Sequence, residues 1–113
     1  MSDEISIAPA GGTWVVRAGG AVIGESGDAL RLREAGHEDR IYFPRDDIAT
    51  AFLEPSELST TCPRKGEASY YTIHTKSGLI QDAAWSYEDP KPAARDIAGY
   101  LSFDPEKATV EEI

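Results

Sequence analysis

Three pairs of short β-prone runs, each pair joined by a glycine-bearing turn, constrain this chain more than any other feature. Trp14-Val15-Val16-Arg17 and Ala21-Val22-Ile23-Gly24 flank Gly19-Gly20, a dipeptide that tolerates the positive backbone angles of a tight hairpin turn. Leu30-Arg31-Leu32-Arg33 alternates apolar with basic residues, as a half-solvated strand does, and Ala35-Gly36-His37 turns it toward Arg40-Ile41-Tyr42-Phe43. The third pair is Tyr70 to Thr75 and Leu79 to Tyr87, joined across Lys76-Ser77-Gly78. A last strand is expected from Thr109 to Ile113.

Between these runs the pattern predicts two short helices. Asp46-Asp47 precede Ile48 to Leu53, with Ile48 and Phe52 four apart and acids in the first turn. Pro92 suits the entry to Ala93 through Ala98, which Gly99 ends. The stretch from Glu54 to Gly66 reads as irregular, and residues 1 to 12, small and polar around Pro9 and Gly11-Gly12, read as a flexible N-terminal arm. The expectation is a mainly β domain of about eight antiparallel strands in hairpins, a single domain over residues 13 to 113. A chain of 113 residues can bury one modest core, and 41% apolar residues suffice for it.

Charge and cysteine content narrow the function classes. A net charge of −9 repels nucleic acid and anionic membrane surfaces, so neither is expected as a partner. One cysteine forms no internal disulfide, the start Met1-Ser2-Asp3-Glu4 lacks a basic leader, and no apolar run is long enough to span a bilayer. A cytoplasmic location is the expectation.

The residue types that carry chemistry concentrate in one region. Cys62-Pro63-Arg64-Lys65-Gly66 joins the only thiol to two cations, and Tyr70, Trp85 and Tyr87 supply aromatic rings nearby in the hairpin pattern. Together with Tyr42-Phe43-Pro44-Arg45-Asp46-Asp47 and Ala84-Trp85-Ser86-Tyr87-Glu88-Asp89-Pro90, this segment closely resembles the DUF427 family of small bacterial proteins. The resemblance covers roughly residues 13 to 113. It implies a compact Mss4-like, or β-tent, arrangement in which antiparallel sheets meet around a groove, and it carries the label "nucleotidyltransferase-like".

The residues give that label little support. A nucleotidyltransferase of the common fold sets two carboxylates as Asp-x-Asp behind a Gly-Ser turn, so that both reach magnesium. Here the acids are the adjacent pairs Asp46-Asp47 and Glu88-Asp89, whose side chains diverge on a strand. Lys65-Gly66 is no phosphate-binding P-loop, since the flanking Gly-x-x-x-x-Gly-Lys-Ser/Thr pattern is missing.

Two function classes lead, with a purely structural interaction module as a third. In the first, the domain binds a small anionic or planar metabolite, with Lys65 supplying charge, Tyr70, Trp85 and Tyr87 forming walls, and no cofactor. In the alternative, it is a group-transfer enzyme, either nucleotidyltransferase-like or built on Cys62 as the candidate catalytic residue, whose cationic neighbours favour a reactive thiolate. His74 reads as an exposed strand residue, and its approach to Cys62 across the hairpin is the weaker alternative. A cysteine packed as a small apolar residue is the bland counterpart. For the rings, Trp85 is expected in the core and Tyr87 in the groove, because Glu88-Asp89-Pro90 mark the exit from the sheet.

Tetrahedral zinc needs four thiolate or imidazole ligands, and this chain offers Cys62, His37 and His74 in three separate segments. Elemental analysis of the purified protein is expected to find no stoichiometric transition metal; one zinc per chain would overturn that expectation.

Overall fold

A computed structural model describes residues 5–113. They form ten strands: β1 (Ile5–Pro9), β2 (Trp14–Ala18), β3 (Ala21–Ser26), β4 (Leu30–Glu34), β5 (Arg40–Tyr42), β6 (Leu53–Cys62), β7 (Gly66–Thr75), β8 (Gly78–Ser86), β9 (Ser102–Phe103) and β10 (Thr109–Glu112). These make three antiparallel sheets, ordered β1-β4-β5, β10-β2-β3 and β6-β7-β8-β9.

The four-stranded sheet buries residues on both faces, and strand alternation decides which core each enters. Ala84 and Phe103 join Val16, Ile23, Phe43, Ile48 and Leu101 in a first cluster, toward the β10-β2-β3 sheet. The next residue along β8, Trp85, packs instead on a second cluster of Leu32, Tyr42, Ala68, Tyr87, Ala94 and Ile97, toward the β1-β4-β5 sheet. Tyr42 and Phe43 repeat the pattern, neighbours in sequence that enter opposite cores. Phe43 also stitches an outer sheet to the central one: its N–H donates to the Leu101 carbonyl at 2.8 Å and its carbonyl accepts from the Leu101 N–H at 2.9 Å.

All three hairpins lie where the sequence places them. Gly19 and Gly20 sit at φ 56° and 81°, so β2 and β3 turn through the left-handed region that glycine enters without strain. Two strand segments differ from expectation. Glu54 to Gly66, read as irregular, contains most of β6, a ten-residue edge strand whose Glu57 to Thr61 run is exposed. Its serines and threonines hid the strand because no buried face imposes an apolar alternation there. Ile5–Pro9, read as part of the arm, pairs in register with β4 (Ile5 opposite Glu34, Pro9 opposite Leu30), and Ile5 and Ile7 pack on the second cluster. Met1 to Glu4 lie outside the described residues.

The expected helices are 3-10 turns at Arg45–Asp47, Thr50–Phe52 and Pro92–Ile97, the last kinked at Ala94. Each segment is short and has proline or a strand at its borders, too little chain to repay α-helix nucleation. Among the described residues no helix is long and apolar enough to cross a membrane.

Phe43 is fully buried and packs edge-on against Phe103, ring centroids 5.9 Å apart. Phe43→Ala is expected to lower unfolding free energy by about 3–5 kcal/mol in urea titration, whereas Val22→Ala on an exposed position should cost less than about 0.5 kcal/mol. Similar losses in both variants would refute this assignment of the core.

Candidate functional site

The β6–β7 turn, Pro63 to Lys65, places its two cations against a carboxylate that the alternation of β4 has already buried. Glu34 follows Leu30 and Leu32 at spacing two, so it shares their inward phase; its side chain is 5% exposed. Lys65 Nζ donates to Glu34 Oε1 at 2.8 Å, and Arg64 Nη1 donates to Glu34 Oε2. Burial pushes the Glu34 carboxyl up, but the hydrogen bonds from Lys65 and Arg64, with the charges of Lys65 and His37, outweigh it and hold the group below the ordinary value of 4.5. Lys65 is itself mostly covered, and its ammonium lies 5.8 Å from the centre of the Tyr87 ring.

Beside this trio opens a cleft of about 410 Å³, lined by Glu34, His37 and the Thr61 to Lys65 segment. Cys62 lines it as a half-buried free thiol, opposite Gly66 in the β6–β7 register. Gly66, at φ 112°, lets the chain turn with Asp89, Pro90 and Lys91 close by, and the Lys91 N–H donates to the Lys65 carbonyl at 2.9 Å.

The aromatic residues gather behind the cleft rather than in it. Tyr70 and Trp85 are cross-strand partners with ring centroids 6.1 Å apart, and the Trp85 indole N–H donates to the Tyr42 hydroxyl at 3.1 Å. Burial pushes the Tyr42 phenol up to about 12 and raises that of Tyr87 as well, so both stay protonated across the physiological range. Tyr87, expected in the groove, is 6% exposed, while Trp85, expected in the core, is half-buried. The burial of Tyr87 has a tertiary cause. The chain after Asp89 folds back, Ala94 and Ile97 join Tyr87 in the second cluster, and the Gly99 N–H donates to the Tyr87 carbonyl at 3.0 Å.

Thus Cys62 and Lys65 share the cleft, and Tyr70, Trp85 and Tyr87 form its backing. His74 is elsewhere: exposed, with Nε2 against Glu54 Oε1. The imidazole that shares the cleft with Cys62 is His37, from the β4–β5 turn. Glu34 and His37 were both missed in the sequence reading. Period-two phase with Leu30 and Leu32 was the signal for Glu34; nothing local announces His37.

The acidic pairs stand apart from the cleft. Asp46 is exposed, and Asp47 Oδ2 accepts from the Ser26 hydroxyl at 2.6 Å. Glu88 Oε2 accepts from Arg45 Nη2 at 2.6 Å and from the Tyr71 hydroxyl at 3.3 Å. Arg45 also donates to the Gly99 carbonyl at 3.0 Å and to the buried Ser86 hydroxyl at 3.3 Å. Among the described residues, no three His, Cys, Asp or Glu side chains converge as metal ligands would.

The three segments singled out in the sequence therefore contact one another: Arg45 joins the first to the third, as does Trp85 through Tyr42, and Lys65 joins the second to the third over the Tyr87 ring. A family model described as a domain of unknown function, DUF427, matches residues 6–113. The chain belongs to the DUF427 family. No curated protein matches it. For this DUF427 domain, family membership fixes the kinship and leaves the chemistry to the residues, since one fold hosts many functions.

The pH dependence of Glu34 has a definite sign. Its folded value lies below 4.5, so the unfolded chain binds the proton more readily; the stabilisation is complete above 4.5 and is lost as pH falls through the folded value. Glu34→Gln is expected to flatten this acid limb in denaturation curves taken from pH 6 downward, and to cost on the order of 3 kcal/mol at neutral pH by leaving Lys65 covered and poorly paired. An unchanged acid limb would refute the role given to Glu34.

Proposed function

We propose that this DUF427 domain binds a small anionic ligand in the cleft beside the β6–β7 turn, through Lys65 and Arg64, with Cys62 and His37 at its lining and Tyr70, Trp85 and Tyr87 as the rigid backing. The observation that carries this reading is the nearly inaccessible Glu34 carboxylate holding both cations at the border of a cleft of about 410 Å³. Flexible basic side chains lose rotamer freedom when they grip an anion; here much of that loss is already met within the fold. The volume falls in the range of small-molecule sites, and a carboxylate or phosphate group matches the donors. The surrounding β-tent arrangement, with the cleft at the meeting of two sheets, belongs to the same proposal.

A group-transfer reaction at Cys62 is the second reading, favoured by one observation: a thiol and an imidazole, Cys62 and His37, line the same cleft. Binding is preferred because Cys62 packs against the aromatic cluster, where a thiol serves as an apolar residue.

The two readings separate in one experiment. In a thermal-shift screen of small carboxylates and organic phosphates, a ligand is expected to raise the melting temperature, and the shift should shrink in Arg64→Gln, while iodoacetamide labels the native thiol slowly at pH 7. Rapid labelling that the same ligand blocks would favour the enzyme; no stabilisation by any of these anions would sink the binding proposal.

A further inference from the structure

A second cleft, of about 240 Å³ and sharing no lining residue with the first, opens where the β1-β4-β5 sheet meets the β10-β2-β3 sheet. Ile41, Phe103 and Val110 give it an apolar lining continuous with the first core cluster, and Trp14 forms a wall. The indole N–H of Trp14 donates to the Gly11 carbonyl at 2.8 Å, which fixes the ring plane. Over that ring lies the Arg31 guanidinium, 5.5 Å from its centroid, and Arg40, also lining the cleft, lies 5.9 Å from the centroid of Trp85. Both tryptophans of the chain thus carry an arginine, and both arginines line this one cleft.

The acids that face these arginines hold them loosely. Asp39 Oδ2 is 3.4 Å from Arg31 Nη1 and 3.4 Å from Arg33 Nε, and Glu38 Oε1 is 3.7 Å from Arg40 Nη1. Those separations exceed good charge-assisted hydrogen bonds. The Glu38 side chain is 86% exposed and that of Asp39 39%, so water already competes for both. Three guanidinium groups, those of Arg31, Arg33 and Arg40, share these two solvated carboxylates.

We infer that this inter-sheet cleft is a second binding site, distinct from the Cys62 cleft, for a small flat carboxylate: a single aromatic ring on Trp14 and the apolar lining, with its carboxylate on Arg31 and Arg40. The chemistry follows from the parts. A planar apolar body replaces water against Trp14, Phe103 and Val110, and a ligand carboxylate displaces the solvated acids from guanidinium groups already held over rings. The small volume restricts the ligand to about one ring, since larger ligands occupy sites from roughly 300 Å³ upward.

Benzoate is the probe, with benzamide as its neutral isostere, and the two indole N–H resonances of the wild-type protein are the readout. Benzoate is expected to shift the Trp14 resonance saturably below about 20 mM, benzamide to leave it nearly unmoved, and Arg31→Gln to weaken the benzoate response about tenfold or more. The Trp85 resonance at its native position reports that the variant is folded. Should Arg31→Gln fail to fold, Arg40→Gln gives the same comparison, its folding checked by circular dichroism because Arg40 lies over the Trp85 ring, and the benzoate-to-benzamide contrast in the wild type decides independently. Equal responses to the two probes, no saturable shift, or a response unchanged by the arginine substitution would overturn the inference.

Discussion

The four-stranded sheet has to bury both of its faces, and most of the molecule is organised by that demand. With Ala84 facing one core and Trp85 the other, an outer layer is required on each side, and the two smaller sheets supply them. In the β1-β4-β5 sheet, β4 alternates core residues with more solvated ones: Leu30 and Leu32 inward, Arg31 and Arg33 outward. The single residue step from Tyr42 to Phe43 serves both cores, and the paired hydrogen bonds of Phe43 with Leu101 bind the layers where they meet. A small protein whose one cysteine forms no internal disulfide gains from this design, since one sheet contributes to two apolar clusters.

The same layering explains why the family's characteristic segments lie far apart in sequence and together in space. Arg45 crosses from the first segment to Ser86 and Glu88 in the third, and its guanidinium lies 5.7 Å from the Tyr71 ring centroid. Trp85 reaches back to Tyr42, and the main chain of Lys91 holds that of Lys65. Polar groups taken out of water need partners, and these contacts pair them. Among the described residues, no buried side-chain nitrogen or oxygen lacks a hydrogen-bond partner.

Glu34 is the exception to economy. A buried carboxylate costs solvation that apolar packing would not, and ion pairing recovers that cost only when geometry is good. What the fold obtains is a turn whose two cations are fixed in place beside a thiol, with Lys65 resting over the Tyr87 ring. The proposed ligand site and the acid sensitivity of the domain thus share one origin. The inter-sheet cleft uses different means: its arginines rest on indole rings, and its acids stay in water.

Period-two alternation and turn glycines were enough to define the three hairpins, because a tight turn and a half-buried strand are local properties of a few residues. They also encoded the inward phase of Glu34, although the sequence reading did not use it. Tyr70, Trp85 and Tyr87 were legible as neighbours for the same reason, since the β7–β8 hairpin pairs their segments, and Cys62 and Lys65 stand just before β7 in the sequence. Which of them meets solvent was not legible: Tyr87 is covered because Ala94 and Ile97 fold back over it, and Trp85 is left half-open. The edge strand β6 escaped notice because its exposed serines and threonines carry no core signal, and the helical segments became 3-10 turns because packing, not propensity, sets so short a piece. His37, rather than His74, meets Cys62 for a reason only the tertiary structure contains: the β4–β5 turn and the β6–β7 turn come from different sheets, and long-range packing alone brings their tips to one cleft.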